Sequence, residues 1–301
     1  VRKKYSSINF IHTSLDDKPK DANLSAIQTM KKNYAIIGNP ITHSLSPILH
    51  NYWFEKYEIE ARYSLLGVEE NNLDKVIKKI RNKELDGINV TLPFKQIIIK
   101  FIDRLVNDAQ FTNSVNTIFL DEKNSIVGEN TDVFGLQAAY LKEIINAKNK
   151  KALVIGAGGV SPSVIFSLLK SKIQNISIIN RTHDKSIFLK KKFNLLNILK
   201  WESLEREIPK FDIIVNATSL GLKNGKDFDF NFKNVKKDLI YIDTIYNPIE
   251  TKTLKFLKES KIKTFNGLDM FIYQGQKSFY LWNKINPEID NKLINLLKSK
   301  L

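Results

Sequence analysis

A glycine-rich turn near the middle of the chain contains the residues whose spacing most directly predicts chemistry. It comprises Gly156, Ala157, Gly158, Gly159 and Val160, after the apolar run 152–155. Gly156 permits a tight turn, and Gly158 lets the backbone approach a pyrophosphate, whose charge the free N–H groups at the following helix start can hold. Ser161 stands where the dinucleotide-binding fingerprint has a third Gly or Ala. The pattern predicts a dinucleotide site, and the alternative is an ordinary glycine-containing turn.

The end of the next strand predicts which nicotinamide cofactor is used. Asn180, Arg181 and Thr182 follow its apolar run. An NAD site usually places Asp or Glu here, where the carboxylate accepts hydrogen bonds from the ribose hydroxyls. No acid stands at this position, and the Arg181 guanidinium can pair with a 2′-phosphate, with Lys185 close by. We therefore expect NADP as the cofactor, although Arg181 could instead form a surface ion pair with Asp184.

The charge of the chain fits small anionic ligands better than nucleic acid. Its 301 residues carry 47 Lys and Arg against 32 Asp and Glu, a formal net charge of +15, but only six of the basic residues are Arg. Nucleic-acid readers usually rely on Arg, whose planar fork matches phosphate and guanine. Lysines spread over the whole chain predict a solvated surface, which also attracts a carboxylate substrate and a phosphate-rich cofactor. A basic nucleic-acid-binding protein stays open as the minor alternative.

Composition also limits the compartment and the kinds of site. The chain has no cysteine, which excludes disulfides and thiolate–metal sites and favours a reducing cytoplasm. Its four histidines show no metal-ligand spacing, so no metal is expected. No apolar run reaches the roughly 18 residues of a membrane span, and no apolar core follows the basic N-terminus. We expect a cytoplasmic protein without a membrane partner or a secretory signal.

Alternating strands and helices must position these residues. Short apolar runs predict strands, and apolar residues at helical spacing predict helices. The predicted strands are 34–38, 61–68, 85–92, 114–120, 152–155, 176–179, 213–215 and 239–242. The predicted helices are 47–57, 71–83, 94–102, 133–145, 162–171, 184–193, 269–283 and 288–300. This alternation predicts an α/β fold with mostly parallel sheets.

A polar break at 147–151 divides this alternation in two. A chain of this length can hold two domains of ordinary size. We expect a substrate and catalytic domain over 30–132 together with 269–301. A Rossmann-type dinucleotide-binding domain is expected over 133–268, with a cleft between the two.

Six polar or glycine-containing segments follow one another along the chain. They are GNPITHSLSPILHN (38–51), GINVTLPFK (87–95), SVNT (114–117) with GENTDVFG (128–135), NATSLG (216–221), DTIYNP (243–248), and NGLDM (266–270) with Gln274. Together they closely resemble the shikimate dehydrogenase family, from about residue 34 to the C-terminus. Each segment alone is moderately specific, and six of them in the same order are strongly specific.

The resemblance implies a catalytic pair. In that family the residues that match Lys95 and Asp132 act together. Reduction of a ketone by hydride leaves a developing alkoxide, which needs a proton donor within hydrogen-bonding reach. A lysine ammonium beside a carboxylate can give that proton while the carboxylate holds it in place. The alternative for Lys95 is one more solvated lysine, which its position after a strand and Pro93 disfavours.

The resemblance also implies contacts to substrate and cofactor. Ser44 and Ser46 match the serines that hold the substrate carboxylate, though Ser46 before Pro47 is also a good helix N-cap. The residues that match positions binding the ring hydroxyls are Thr91, Asn116 and Gln274, with Tyr246 nearby, and Gly267 is assigned to the cofactor. Asn116 could instead be a turn residue, and Gln274 could be a solvated helix residue.

The implied activity is the NADP-dependent reduction of 3-dehydroshikimate to shikimate, a step of chorismate and aromatic amino-acid biosynthesis. One alternative is a quinate/shikimate dehydrogenase of broader substrate and cofactor range, and another is a non-catalytic relative that binds a ligand for regulation. The absence of an acid at 180–182 disfavours NAD use, and the presence of Lys95 and Asp132 disfavours the non-catalytic relative. The implied partners are small molecules, and a monomer or homodimer is expected.

Residues 1–29 differ from the rest of the chain. Their apolar residues follow no helical or strand period, so this segment cannot bury a face that offsets its ordering entropy. The resemblance begins just after Met30. We therefore predict a disordered extension, with Met30 as the natural start. A targeting segment is the alternative, which Asp16, Asp17 and Asp21 disfavour.

Overall fold

The computed structural model of the chain describes residues 31–142, 144, 147–223, 225–230 and 232–301. The extension predicted over 1–29 lies outside these residues. Within them, the strands form two six-stranded sheets, and most neighbouring strands are parallel. The predicted α/β fold is confirmed.

The first sheet is built around a strand buried on both faces. Its strands are β1 (Lys32–Gly38), β2 (Ala61–Gly67), β3 (Gly87–Val90), β4 (Arg104–Leu105), β5 (Thr117–Leu120) and β6 (Ile126–Glu129), in the order β2-β1-β3-β5-β6-β4. Because side chains alternate along a strand, Tyr34 and Ile36 of β1 pack in one apolar cluster, and Ala35 and Ile37 pack in another. β5 runs antiparallel to both β3 and β6.

The second sheet has the strand order of a dinucleotide-binding domain. Its strands are β7 (Lys151–Ile155), β8 (Asn175–Ile179), β9 (Asn197–Leu199), β10 (Ile213–Asn216), β11 (Ile240–Asp243) and β12 (Lys263–Phe265). All its neighbouring pairs are parallel, in the order β12-β11-β10-β7-β8-β9. The chain order reverses between β7 and β10, the point at which such sheets bind ligands.

Helices connect the strands and cover the sheets. They are α1 (Ser46–Lys56), α2 (Leu73–Arg81), α3 (Asp108–Thr112), α4 (Thr131–Leu136), α5 (Ser161–Lys170), α6 (His183–Lys192), α7 (Leu204–Glu207), α8 (Lys252–Glu259), α9 (Leu268–Asn283) and α10 (Asn291–Lys298). Side-chain oxygens cap several of them, as Thr251 does for α8 and Asp290 for α10. No helix among the described residues is both long and apolar enough to cross a membrane.

Helix α9 contributes side chains to the cores of both sheets, and α4 contributes to the core of the second. Leu136 and Met270 belong to the apolar cluster of the second sheet. Phe271 and Phe279 of α9 belong to a cluster of the first sheet. The predicted domain boundaries, 132/133 and 268/269, fall inside these two helices and stay predictions.

Several predicted elements are shorter or differently wound than expected. The helix predicted over 94–102 is a 3₁₀ helix over Ile97–Phe101, because the preceding residues form the turn that carries Lys95. The helix predicted over 133–145 is α4 followed by a π-helical turn over Gln137–Leu141. The strand β6 was not predicted. It pairs with β5 through a turn in which Asp121 Oδ1 accepts hydrogen bonds from two backbone N–H groups.

Candidate active site

Lys95 and Asp132 form a close ion pair. Lys95 Nζ lies 2.6 Å from Asp132 Oδ2, and the two side chains are only 12% and 6% exposed. Lys95 stands in the turn after β3, where its carbonyl oxygen accepts a hydrogen bond from the N–H of Val115 at 2.8 Å. Asp132 stands in the first turn of α4, and its N–H donates to the capping side chain of Asn130. An ammonium has three donors, so Lys95 keeps donors for a ligand.

Asn116 and Gln274 complete the cluster around this ion pair. Asn116 Nδ2 donates to Asp132 Oδ1 at 2.9 Å and to Gln274 Oε1 at 3.4 Å. Asn116 is 2% exposed, lies in a bend that immediately precedes β5 and contacts Asp132, which disfavours a purely structural turn role for it. Gln274 is part of α9, and its Nε2 donates to the carbonyl oxygen of Phe271. Its partly buried side chain contacts Asn116, which disfavours the solvated alternative for Gln274.

The two serines lie side by side at the start of α1. Ser44 Oγ lies 3.2 Å from Ser46 Oγ, and it also accepts a hydrogen bond from the N–H of Ser46. The prediction of Ser46 as N-cap is wrong, because Leu45 occupies that position and no side chain caps the helix. Tyr246 is hydrogen-bonded to the backbone of Leu45, and burial raises the pKa of Tyr246 to about 12. Its phenol therefore stays neutral beside the two hydroxyls.

A chain of buried hydrogen bonds joins the serines to the ion pair, and two of its members were not predicted. The Tyr63 hydroxyl bonds with Ser46 and donates to Asn89 Oδ1 at 2.6 Å. Asn89 Nδ2 donates in turn to the carbonyl oxygen of Asn116 at 2.9 Å. Asn89 lies inside one of the six segments, but Tyr63 lies in β2 outside all of them. Tyr63 belongs to a strand whose residues alternate in burial, and this pattern does not indicate a contact with the site.

His50 lies beneath this chain of hydrogen bonds but has no part in the chemistry. Its ring stacks on Tyr63 with centroids 4.4 Å apart and also contacts Trp53. Neither ring nitrogen has a hydrogen-bond partner among the residues that the structure describes, and burial lowers the pKa of His50 to about 3. A histidine with so low a pKa stays neutral and packs as an aromatic ring.

The turn that carries Lys95 meets the glycine-rich turn of the second sheet. A Cβ atom on Gly159 would lie 3.0 Å from Leu92 Cδ2 and 3.9 Å from Lys95 Cδ. Ser114 Oγ donates to the carbonyl oxygen of Gly159 at 3.3 Å. Thr91 lies at the start of the Lys95 turn, and its hydroxyl has no hydrogen-bond partner within the described part of the chain. The ion pair and the glycine-rich turn therefore face a common space.

The glycine-rich turn has the conformation that close approach of a phosphate requires. Gly156 adopts φ +109°, and a Cβ there would lie 2.7 Å from the carbonyl oxygen of Ala217. Only glycine fits such a position without strain. The N–H groups of Gly159 and Val160, just before α5, bond to no acceptor in the described residues. They can hold an anionic group, as the sequence predicts.

The side chains of Ser161 and Asn180 form hydrogen bonds with the backbone of this turn. Ser161 is fully buried, and its Oγ accepts from the N–H of Gly158 and donates to the carbonyl oxygen of Gly156, both at 3.0 Å. Ser161, which departs from the fingerprint, therefore stabilises the turn. Asn180 Oδ1 accepts from the N–H of Ala157 at 3.0 Å, and its Nδ2 donates to the carbonyl oxygen of Thr182. Asn180 therefore supports the turn as well as bordering the cofactor position.

The cationic side chains predicted for the 2′-phosphate are exposed. Arg181, Thr182 and Lys185 lie between β8 and the first turn of α6, with Thr182 as the N-cap residue. In the described part of the chain Arg181 forms no ion pair with Asp184. An arginine fork without an acid partner suits a phosphate.

Gly267 stands where the chain passes from β12 into α9. Its N–H donates to the carbonyl oxygen of Ile245 at 2.8 Å, and a Cβ there would overlap the carbonyl oxygen of Thr244. This close backbone packing places Gly267 beside the loop that carries Tyr246. Its contact with a cofactor stays a prediction.

Comparison with known families matches both halves of the chain. Residues 36–118 match the family model described as the shikimate dehydrogenase substrate binding domain. Residues 139–253 match the model described as shikimate / quinate 5-dehydrogenase. The first match covers most of the first sheet up to the start of β5, and the second covers β7 to β11 of the second sheet.

Individual relatives agree over almost their whole length. The chain is 47% identical over 268 residues to the shikimate dehydrogenase (NADP(+)) of Pelagibacter ubique, covering 89% of this chain and 99% of the relative. The crystal structure of shikimate dehydrogenase from Aquifex aeolicus superposes with a TM-score of 0.81 at 34% identity, covering 90% and 99% of the two chains. The Thermus thermophilus enzyme in complex with NADP(H) and shikimate superposes with a TM-score of 0.80 at 28% identity, covering 90% and 100%.

Proposed function

This chain belongs to the shikimate dehydrogenase family, and we propose that it uses Lys95 and Asp132 to move the proton in an NADP-dependent shikimate dehydrogenase reaction. It is an oxidoreductase that reversibly reduces 3-dehydroshikimate to shikimate with NADPH. One observation carries the assignment of the site: a shielded Lys95–Asp132 ion pair lies between a cluster of polar side chains and the glycine-rich turn.

The chemistry follows from what each group can give or accept. The bound cofactor supplies the hydride. As the substrate carbonyl carbon gains it, the carbonyl oxygen becomes an alkoxide, and Lys95 Nζ gives that oxygen a proton. Asp132 keeps the ammonium in place and balances its charge, and in the reverse direction the lysine takes the proton back. General acid–base catalysis of this kind contributes roughly 10²–10⁴-fold in rate.

The polar cluster is suited to hold a small polyhydroxylated carboxylate. Ser44 and Ser46 provide two hydroxyl donors for the carboxylate, with the neutral Tyr246 beside them. Asn116 and Gln274 provide amide groups for the ring hydroxyls, and Thr91 adds an unpartnered hydroxyl. Since hydroxyl and amide groups both donate and accept hydrogen bonds, these side chains can bind a substrate hydroxyl in either role. They can also bind the carboxylate without a full counter-charge.

The residues around the glycine-rich turn fit a dinucleotide that carries a 2′-phosphate. The free N–H groups of Gly159 and Val160 suit the pyrophosphate, and the open space at the missing Cβ of Gly158 allows close approach of the backbone. Arg181 and Lys185 place two cations where a 2′-phosphate would lie. A cytoplasmic location and a monomeric or homodimeric state stay predictions.

Initial rates with two substrates and two cofactors test this proposal. NADP⁺ and NAD⁺ are each supplied with shikimate or quinate, and formation of the reduced nicotinamide is followed. We expect the highest kcat/KM with shikimate and NADP⁺. A higher value with quinate and NAD⁺ would favour the broader quinate/shikimate dehydrogenase, and no turnover with either substrate would contradict both.

A further inference from the structure

Ser278 lies behind the polar cluster, at the point where four elements of the fold meet. It is fully buried on α9. Its Oγ lies 2.7 Å from Thr117 Oγ1 of β5 and 3.1 Å from Thr131 Oγ1 of α4. Asn89 Nδ2 of β3 donates to it at 3.1 Å, and it donates to the carbonyl oxygen of Gln274 at 3.0 Å. One hydroxyl therefore contacts every element that supplies a side chain to this part of the site.

Contacts with α4 set the orientation of the Asn116 carboxamide group. The N–H of Thr131 can only donate, and it donates to Asn116 Oδ1 at 2.8 Å. This contact fixes the carboxamide oxygen of Asn116 toward α4 and its Nδ2 toward Asp132 and Gln274. Thr131 Oγ1 then also donates to Asn116 Oδ1, at 3.1 Å.

Thr117 and Ser278 complete this arrangement. Thr117 Oγ1 lies 2.7 Å from Ser278 Oγ and 3.2 Å from Asn116 Oδ1, and Ser278 can donate to the main-chain carbonyl oxygen of Gln274. Since a hydroxyl donates one proton and has two acceptor lone pairs, Ser278 can accept from Thr117 and from Asn89 while it donates. The hydroxyl of Ser278 is therefore fully used.

The side chain of Gln274 is held by its own helix. Its Nε2 donates to the carbonyl oxygen of Phe271 at 2.8 Å, whereas Ser278 bonds to the main-chain carbonyl oxygen of Gln274. These contacts leave Gln274 Oε1 pointing at Asn116 and at the space in front of it. A ligand hydroxyl that enters this space meets an acceptor whose direction is already set.

We propose that Ser278 is a positioning residue that holds the hydroxyls of Thr117 and Thr131 and, through them, orients Asn116 for the hydroxyl groups of the substrate. It does not reach the reacting atoms, and it acts through the Asn116 amide. This inference rests on the proposed function, because it assigns a substrate hydroxyl to that amide. This role predicts that a substitution of Ser278 weakens the binding of shikimate and leaves the binding of NADP⁺ nearly unchanged.

Ser278→Ala tests the proposal through separate KM values. We expect the KM for shikimate to rise about tenfold, the scale of one misplaced hydrogen bond, and the KM for NADP⁺ to change less than about twofold. Ser278→Cys leaves no cavity, because the thiol is somewhat larger than the hydroxyl, but it hydrogen-bonds weakly, so it should show most of the same rise. If Ser278→Cys has the wild-type KM, or if both KM values rise equally, the role is packing and the proposal is overturned.

A double-mutant cycle and a control variant complete the experiment. Thr117→Val removes the hydroxyl that contacts both Ser278 and Asn116, so its effect on the KM for shikimate should not add to that of Ser278→Ala. Additive effects would overturn the proposal. Ser167→Ala removes another fully buried hydroxyl, bonded to the carbonyl oxygen of Val133, and should leave both KM values unchanged. Wild-type enzyme without shikimate turnover would contradict the proposed function, whereas active wild type with an unchanged Ser278→Ala would overturn only this inference.

Discussion

The substrate half and the nucleotide half of the site are built by different means. On the substrate side, buried side chains bond to one another, so that Lys95, Asp132, Asn116 and Gln274 form one connected cluster. On the nucleotide side, the proposed contacts are backbone N–H groups and an exposed side chain, Arg181.

The difference follows from what each half must recognise. A phosphate is a large symmetric anion that backbone N–H groups and an arginine fork can hold from several directions. A ring with several hydroxyls requires donors and acceptors in fixed places, which only mutually bonded side chains provide. We therefore expect substitutions on the substrate side to lower catalysis, and substitutions on the nucleotide side to change cofactor choice.

The largest effect is expected from Lys95→Met. This variant keeps the length of the side chain but has no proton to give, so kcat for shikimate oxidation should fall roughly 10²–10⁴-fold. Steady-state rates at saturating shikimate and NADP⁺ measure the loss. Lys100→Met, at an exposed lysine five residues further on, is the matched control and should keep the wild-type rate. A Lys95→Met enzyme with more than half of the wild-type kcat would exclude this role.

Arg181→Ala should act on the cofactor alone. A charge-assisted phosphate contact is worth about 1.5–3 kcal/mol, so the KM for NADP⁺ should rise roughly 10- to 100-fold. The KM for NAD⁺ and the KM for shikimate should stay close to wild type. Arg206→Ala, at another exposed arginine of the same half, serves as the control. Equal losses with NADP⁺ and NAD⁺ would mean that Arg181 does not read the 2′-phosphate.

Asp243 provides a smaller test, because it lies in a cluster of buried, hydrogen-bonded side chains within the nucleotide half. Its carboxylate accepts hydrogen bonds from Asn216, from Thr251 and from the N–H of Ile245, yet burial dominates and raises the pKa of Asp243 to about 6. The protonated form is therefore favoured in the folded protein relative to the unfolded chain. Its contribution to stability is complete below about pH 4 and is lost as the pH rises through about 6.

Asp243→Asn imitates the protonated form at every pH. The Tm of the variant should match wild type near pH 4 and exceed it by several degrees at pH 7, since the raised pKa corresponds to about 3 kcal/mol at most. Thermal unfolding of both proteins from pH 4 to 7 measures the difference, in which the titrations common to both cancel. Burial keeps the pKa of the neighbouring Tyr140 and Tyr241 well above this range. A Tm difference that does not change with pH would contradict the raised pKa.

The sequence predicted the nucleotide half more directly than the substrate half. A turn formed by backbone depends on local glycine spacing, so Gly156 and Gly158 were found from a short segment, and the strand order agrees with the alternation. The substrate residues come from segments far apart in the chain, such as Ser44 and Gln274. Their assembly was expected only through the family resemblance, because sequence spacing does not state which loops meet.

Residues that act through others were the ones that sequence reasoning missed. Tyr63 and Ser278 contact the site from behind, and their types are common in any strand or helix. Ser278 does stand four residues after Gln274, hence on the same face of α9, and this spacing was a usable signal. The 3₁₀ and π-helical turns near Lys95 and Asp132 were not predicted either, because tertiary packing on both sides sets their winding.

Transfer of a labelled hydrogen tests the central claim most directly. Shikimate that carries deuterium on the carbon bearing the oxidised hydroxyl is incubated with NADP⁺ and the wild-type enzyme, and the nicotinamide product is analysed by mass spectrometry. Direct hydride transfer predicts that the NADPH formed contains the deuterium, and that Lys95→Met transfers the same label more slowly. Unlabelled NADPH, or no NADPH at all, would contradict the account.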